Sequence, residues 1–345
     1  MESRTGRVKC VVWDLDRTLL PGVALERAGD GPVEPLPGVR DVLTTLAGRG
    51  ILNSVASRNP PSVRPLLDAL PVPFVAPQFG WGRKSESLGR IADELNIDLA
   101  SLAFVDDDPY ERAEVSFAHP RVVVLGPDEI ADALTWPEFS PVAVTREGAR
   151  RAQAYLDAQR RAEAMAEFGR DRAAFHAYCE TTVTIWDAGD ADVPRLHELS
   201  VRTSQFNSAG AGMPAEDLRA RISSPGYRVV CLALADRFGD DGLVGCAVVS
   251  RAGWTVELLM MSCRAMGRGV IETLLAELAA SALDDGATEL RIPLRVNDRN
   301  VPLRLAMVSA GFRADNGSDP IFVRPVTPDS GPPAPPDWIN IVRRS

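Results

Sequence analysis

Asp14 and Asp16 stand at the end of an apolar run, in Val11-Val12-Trp13-Asp14-Leu15-Asp16-Arg17-Thr18-Leu19. A buried strand that delivers two carboxylates at its carboxyl end is a common place for an α/β enzyme to put its chemistry. Strand alternation predicts that Asp14 and Asp16 share one face, with Leu15 and Arg17 on the other. Two like charges on one face repel unless a cation sits between them. The simplest such cation is Mg²⁺, which takes oxygen ligands and accompanies phosphate. The alternative is a turn after a strand, where Asp is also frequent.

Three further elements follow in order. Ser57 ends a second apolar run, Ile51 to Ala56. Lys84 precedes an amphipathic helix, and Asp106, Asp107 and Asp108 follow the apolar run Leu102 to Val105. Ser57 taken alone reads equally as a loop or helix cap. A lysine at a helix start faces the unfavourable end of the dipole, which favours a functional reading of Lys84. Asp108, just before Pro109, reads as a turn or cap residue. His119 and His176 read as structural or surface groups, and no His/Cys spacing suggests zinc.

The elements that must hold these residues alternate. Val8 to Trp13, Ile51 to Ala56, Leu102 to Val105 and Val122 to Leu125 read as strands. Between them, Val39, Val42, Leu43 and Leu46, then Leu88, Ile91, Ala92 and Leu95, lie at helical spacing, with Gly50 placed to end the first helix. This alternation predicts a doubly wound parallel sheet, which binds ligands beyond the carboxyl ends of its strands. The connection Leu20 to Leu36 is too short for a cap domain and leaves the site open.

A second α/β unit runs from about Thr182 to Arg324. Strands are predicted at Val229 to Ala235, Leu243 to Val249, Thr255 to Met261 and Glu289 to Val296. The predicted organisation is therefore a parallel-sheet domain over 1–144, a helical linker over 145–180, an α/β domain over 181–325 and a proline-containing tail over 326–345. In the linker, Tyr155, Ala158, Arg161 and Met165 read as a solvated helix. The tail reads as extended or disordered, with Trp338 able to tack it down.

The chain has 345 residues, 45% hydrophobic and 25% charged, enough for two ordinary cores. Its net charge of −9 argues against nonspecific binding to nucleic acid or an anionic membrane. Five widely spaced cysteines suggest reduced thiols in a cytoplasm rather than a disulfide framework. Met1 to Lys9 is polar, and neither a signal peptide nor a membrane-length apolar run is read.

Strand-end hydroxyl, lysine and carboxylate cluster, following Asp-x-Asp-x-Thr in this order, resemble the haloacid dehalogenase-like (HAD) phosphohydrolases. That resemblance implies a nucleophile at Asp14 and a general acid and base at Asp16, whose role needs a raised pKa. It implies phosphate-binding hydroxyls at Thr18 and Ser57, and charge neutralisation by Lys84. It also implies Mg²⁺ held by Asp14, Asp16 through its main-chain carbonyl, Asp106 and Asp107.

In the second unit, Arg264-Ala265-Met266-Gly267-Arg268-Gly269 has the form Arg-x-x-Gly-x-Gly between a strand and a helix. Glycines and a helix N-terminus suit a diphosphate, though such turns often only redirect the chain. The segment resembles the pyrophosphate loop of GNAT acyltransferases, which implies pantetheine binding by Arg264, Gly267, Arg268 and Gly269.

The two units together resemble the FkbH-like proteins (HAD subfamily IIIC). The motifs are Lys9 to Asp16, Asp106 to Arg112, Thr203-Ser204-Gln205-Phe206-Asn207 and Ser262 to Gly269, across residues 8–325. The fold implied is a HAD-like Rossmannoid sheet followed by a GNAT-like domain. The activity implied is removal of phosphate from a glyceryl unit supplied by 1,3-bisphosphoglycerate, and loading of that unit onto the phosphopantetheine thiol of an acyl carrier protein in polyketide biosynthesis. A cysteine relay would serve the transfer, with Cys263 first and Cys10 second. Burial in a core is the alternative for either. Gln205 and Asn207 could orient a glyceryl group, or form a polar turn. The chain departs from the family at Leu19-Leu20-Pro21-Gly22, where Leu-Trp-Gly-Gly is usual. Arg17 and Asp108 each replace an Asn, and Arg17 is expected to point away from Asp14. Rival readings are a phosphatase of a small phosphate ester, a carrier-protein docking module without activity, and an N-acyltransferase.

Overall fold

A computed structural model describes residues 7–27, 34–203, 205–315, 317–329 and 331–344. Residues 28–33 of the Leu20 to Leu36 connection, and Ser204 of the Thr203 to Asn207 motif, lie outside the described residues. The chain forms two compact units, Met1–Leu156 and Asp157–Ser345. The division falls inside the long helix Arg151–Phe168, so the segment read as a linker is shared between the units. No helix among the described residues is long and apolar enough to cross a membrane.

Unit 1 carries five strands: β1 Cys10–Trp13, β2 Leu52–Ser57, β3 Gln78–Phe79, β4 Leu102–Val105 and β5 Val123–Leu125. They form one sheet in the order β3-β2-β1-β4-β5, and every pairing is parallel. The central strand is buried on both faces, as a doubly wound sheet requires. Val11 and Trp13 face one core with Val42, Leu43 and Leu46 of the helix Val39–Gly48. Cys10 and Val12 face the other with Leu88 and Ile91 of the helix Lys84–Glu94.

Gly50 ends the first helix as expected. Its φ is +68°, its N–H bonds the Ala47 carbonyl, and the Ile51 N–H bonds the Leu46 carbonyl. This is a Schellman arrangement. A Cβ at Gly50 would also lie 2.8 Å from the Gly148 carbonyl oxygen, so two constraints select glycine there.

Unit 2 is built on eight strands: β6 Thr182–Asp187, β7 Tyr227–Asp236, β8 Gly239–Ser250, β9 Thr255–Met261, β10 Glu289–Pro293, β11 Arg313–Ala314, β12 Ile321–Pro325 and β13 Asn340–Arg343. Their order is β11-β12-β10-β9-β8-β7-β6-β13. β6 to β9 form an antiparallel meander, and β9 and β10 are parallel but share a single register pair, Arg291 with Thr255. Beyond it the segment Phe206 to Ser208 is hydrogen-bonded to both sides. Ser208 N–H donates to the Leu259 carbonyl at 2.9 Å, and Arg295 N–H donates to the Ser208 carbonyl at 2.8 Å. The helix Val270–Asp284 covers one face and Val193–Arg202 the other.

The tail, read as extended or disordered, ends in extended backbone that is paired: Asn340–Arg343 adds a parallel edge strand beside β6. One expectation needs correction: the helix around Arg161 is not simply solvated. Arg161 is ion-paired with the buried Asp236 at 2.7 Å and lies over the Phe238 ring, while the Tyr155 hydroxyl donates to the Leu95 carbonyl within unit 1.

Candidate active site

Asp14 leaves the end of β1, and its N–H is fixed on the Val105 carbonyl at 2.8 Å. Asp106 leaves the end of β4 and Lys84 opens the helix Lys84–Glu94. Lys84 is 3% exposed, and its ammonium bonds the Asp14 carboxylate and the Ala56 carbonyl. It stands 3.4 Å from Asp106 Oδ2. Burial pushes Asp14 up to about 6; the Lys84 charge pulls it back and the Asp106 charge adds to the rise. Burial also raises Asp106, against the pull of Lys84.

Asp14, Asp106 and Asp107 each offer an oxygen within 4.8 Å of the others. Asp106 Oδ1 accepts the Asp108 N–H at 2.9 Å, but Asp106 Oδ2 is buried and accepts no hydrogen bond from the described residues. Three carboxylates against one ammonium leave an excess of two negative charges. An all-oxygen donor set with that charge and an unsatisfied buried oxygen fits a hard divalent cation such as Mg²⁺. The Asp16 side chain is not in this cluster. Its Oδ1 accepts the Ala24 N–H at 2.7 Å and its Oδ2 accepts the Asn59 amide at 3.0 Å.

The loop after β4 is braced from behind. Arg112 Nη1 donates to the Asp106 carbonyl at 2.6 Å and the Asp107 carbonyl at 2.9 Å. Asp108 caps the helix Pro109–Ala118 by accepting the Tyr110 N–H, as its place before Pro109 suggests. Thr18, expected on phosphate, is fully buried, and its hydroxyl accepts the Asp107 N–H at 3.1 Å. The Ser57 hydroxyl accepts the Asn59 amide at 2.9 Å.

The cluster opens into a cleft of about 390 Å³ that Arg17, Arg58 and Glu111 also line. Arg17 thus borders the same cleft as Asp14, which strand alternation alone does not predict. The strand ends at Trp13, and Arg17 takes φ +54°, so alternation no longer governs its direction. Arg58 is ion-paired with Glu111 at 2.7 Å. Burial raises Glu111, opposed by the charges of Arg58 and Lys84.

In unit 2, three amides of the expected anion loop close turns within it. The Ala265, Met266 and Arg268 amides donate to Ser262, Cys263 and Ala265 carbonyls. Arg268 is ion-paired with Asp241 and, at 2.7 Å, with Asp236, which makes it a core cation rather than a free anion binder. Among the described residues, Arg264 Nε donates only to Ser262 Oγ, at 3.4 Å. Gly267 has φ +71° and open space at its Cβ position. Gly269 has φ +75°, and a Cβ there would meet Ile339, with Trp338 at 3.0 Å and Pro336 at 3.1 Å. The tail thus covers this part of the loop.

Asn207 is corrected as well. It is 1% exposed, its amide serves the Ser200, Thr203 and Ala211 carbonyls, and its Oδ1 accepts the Ala209 and Gly210 amides. It holds a turn and has nothing left for a glyceryl group. Gln205 is half-buried. Cys263 is half-buried at the start of the loop, whereas Cys10 is wholly buried in a core of unit 1, which pushes its thiol far up and removes it as a relay.

No family model matches the chain, and no curated protein matches it. Among solved structures it is similar to the N-terminal part of a Bacteroides fragilis protein containing a phosphatase domain complexed with Mg. The identity is 27% and the TM-score 0.30, over 37% of this chain. The match spans 39% of the length of that protein chain. It is also similar to the ribosomal-protein-S18-alanine N-acetyltransferase of Escherichia coli, at 14% identity and TM-score 0.34, over 42% of this chain and 94% of the other. A third is the PaiA N-acetyltransferase of Thermoplasma acidophilum in complex with coenzyme A, at 19% identity and TM-score 0.33, over 41% of this chain and 98% of the other.

Sequence reasoning passed over Arg58 and Asn59, and gave Glu111 and Arg112 no role beyond membership of the Asp106 to Arg112 motif. A signal existed for two of them: Asn59 is two residues past the strand-end Ser57, and Arg112 is one turn into the helix that Pro109 starts.

Proposed function

We propose that unit 1 is a Mg²⁺-dependent phosphohydrolase that uses Asp14 as its nucleophile. The observation that carries this is the buried, unsatisfied Asp106 Oδ2 converging with Asp14 and Asp107 beside Lys84. Mg²⁺, when bound, would be held by Asp14, Asp106 and Asp107, and would offset charge on the phosphoryl oxygens.

The chain's own residues divide the work. An Asp14 oxygen bonds to phosphorus as the ester P–O bond breaks, and the leaving alkoxide takes a proton from Asp16. Water then attacks the aspartyl-phosphate, its proton returns to Asp16, and inorganic phosphate leaves. Both Asp16 oxygens accept hydrogen bonds here, which suits the carboxylate that takes the proton from water. Serving first as an acid requires Asp16 to carry a proton when substrate enters. Lys84 holds Asp14 in place and offsets charge on the transferred group.

The finer reading comes from the family resemblance. The phosphate is that of a phosphoglyceryl unit from 1,3-bisphosphoglycerate, and the unit is destined for the pantetheine thiol of an acyl carrier protein. The half-buried Cys263 at the loop supports a relay in that transfer. The tail packed over Gly269 favours a second reading, a phosphatase of a free phosphate ester.

Phosphate release and the intact mass of a holo carrier protein test both. The expected result, with Mg²⁺ and 1,3-bisphosphoglycerate, is a glyceryl adduct free of phosphate that Asp14→Asn abolishes. Phosphate release from small esters with an unmodified carrier selects the second reading. Unchanged phosphate release by Asp14→Asn rejects both.

A further inference from the structure

β9 and β10 are joined at a single register pair, Thr255 with Arg291, and then part. The loop Ser262 to Gly269 follows β9 directly. An elongated ligand seated on that loop would therefore run back through the gap between the two strands. Such a ligand needs a free strand edge, where its own amides pair with the main chain. In unit 2 that edge is taken.

The segment Phe206 to Ser208 lies in the gap, antiparallel to β9, with Asn207 opposite Met260. Met261 N–H donates to the Phe206 carbonyl at 3.0 Å, and Ser208 N–H donates to the Leu259 carbonyl at 2.9 Å. Leu259 N–H donates to Ser208 Oγ at 2.8 Å. On the far side, Arg295 N–H, just past β10, donates to the Ser208 carbonyl at 2.8 Å. The chain's own backbone thus bridges the parted strands, and the edge of β9 that faces the gap is satisfied at both Leu259 and Met261.

The segment is anchored as well as paired. Phe206 is 2% exposed and packs in the core that includes Val270, Ile271 and Leu274 of the helix Val270–Asp284. Asn207 is tied to the Ser200, Thr203 and Ala211 carbonyls and to the Ala209 and Gly210 amides. A pantetheine arm carries only two amides. Displacing the segment would leave more main-chain groups unpaired than those amides can serve, and buried main-chain groups are rarely left so. The loop offers little in exchange, since three of its amides close turns and Arg268 is spent on Asp236 and Asp241.

We infer that Phe206 to Ser208 is a built-in strand that fills the gap, and that unit 2 takes neither coenzyme A nor a pantetheine arm along β9. This holds whether or not unit 1 is a phosphohydrolase. A carrier's thiol, where one is loaded, is then reached without its arm lying between β9 and β10.

Amide hydrogen exchange on the full chain tests this, alone and with coenzyme A, acetyl-coenzyme A or pantetheine, beside calorimetry of the same mixtures. In the free protein the Ser208, Leu259 and Met261 amides are expected to exchange on the order of a hundredfold or more slowly than the unbonded amides of exposed loops. None of the three compounds is expected to alter them. Calorimetric heat with these amides unchanged means that the compound is held elsewhere on the chain, and keeps the inference. Exchange of Ser208 and Met261 at the rate of unbonded loop amides in the free protein overturns the filled gap. A saturable change of protection at Phe206 to Ser208, or at Leu259 to Met261, on adding any of the three compounds overturns the exclusion.

Discussion

The Thr18 hydroxyl accepts the backbone N–H of Asp107 at 3.1 Å, across 89 residues of chain. Thr18 is fully buried just after β1, and Asp107 is the second residue of the loop after β4. The same hydroxyl donates to Asp107 Oδ1 at 3.5 Å, so Thr18 ties the loop bearing the nucleophile to the loop bearing two metal-ligand candidates. Thr18→Val keeps the shape but strands the Asp107 N–H. It should cost about 1–3 kcal/mol, the penalty of a buried donor left unmade. Mg²⁺ affinity should weaken as well, because, among the described residues, Asp107 is then held only through its carbonyl by Arg112. Urea unfolding with EDTA and Mg²⁺ titration by calorimetry check the two effects separately. Full stability in Thr18→Val would show that the bond does not order the loop.

Lys84 is the buried counter-charge of Asp14 and Asp106, so Lys84→Met leaves two carboxylates facing each other in the core. Breaking a buried pair by removing one partner typically costs about 3–5 kcal/mol. Phosphate release should fall by roughly 10²-fold or more, as for the loss of one preorganised charge donor. Added Mg²⁺ should rescue the melting temperature more in Lys84→Met than in the unaltered protein, because the variant lacks any other cation between those carboxylates. Equal Mg²⁺ shifts in the two proteins would place the ion elsewhere.

Some of this was readable in the residues and some was not. The parallel sheet, and the gathering of Asp14, Ser57 and Asp106 at strand ends, follow from apolar runs and period, which are local properties. The place of Arg17 at the cleft depends on where β1 stops and on a positive φ in a turn whose Arg17 N–H bonds the Gly22 carbonyl, neither of which a period of two contains. Thr18, Asn207 and Arg268 have the chemistry to bind a ligand, but the fold uses it to satisfy the Asp107 amide, a turn and two buried carboxylates. Hydrogen-bonding capacity is visible in a residue type; its partner is a tertiary fact. The tail strand was hidden by the prolines before it, because Asn340–Arg343 needs the β6 edge to become a strand.

Asp14 sets a pH dependence whose sign differs for the metal-free and metal-bound forms. Burial lifts it to about 6 from an ordinary 3.8, so between these values the folded, metal-free protein keeps a proton that the unfolded chain has released. The stabilisation from this group is full below about 3.8 and is lost as pH rises through about 6. Mg²⁺ needs the carboxylate, so its affinity should fall as pH drops below about 6, with a proton released on binding there. Calorimetry at pH 5.5 in two buffers of different ionisation enthalpy counts that proton. A buffer-independent heat at pH 5.5 would mean that Asp14 is already ionised in the metal-free protein.

Gly269 and Ile339 are coupled by space. Gly269 has φ +75°, and a Cβ there would collide with the Ile339 Cδ1 methyl while pressing on Trp338 and Pro336. The segment is held at its other side by the stack of Trp338 on His176, with ring centroids 4.1 Å apart, and by the β13 pairing. Gly269→Ala should therefore destabilise unit 2 through two additive causes, the left-handed backbone at about 1–3 kcal/mol and the displaced tail. Ile339→Ala alone should cost about 2–5 kcal/mol, since Ile339 is only 8% exposed. In the Gly269→Ala background the same truncation should cost less, because it also relieves the collision. A double-mutant cycle by urea unfolding measures the difference directly. Strict additivity of the two changes would mean that the tail is not packed on this loop in solution. The loop would then lie open at Gly269, and the preference for a free phosphate ester over a pantetheine thioester would lose its support.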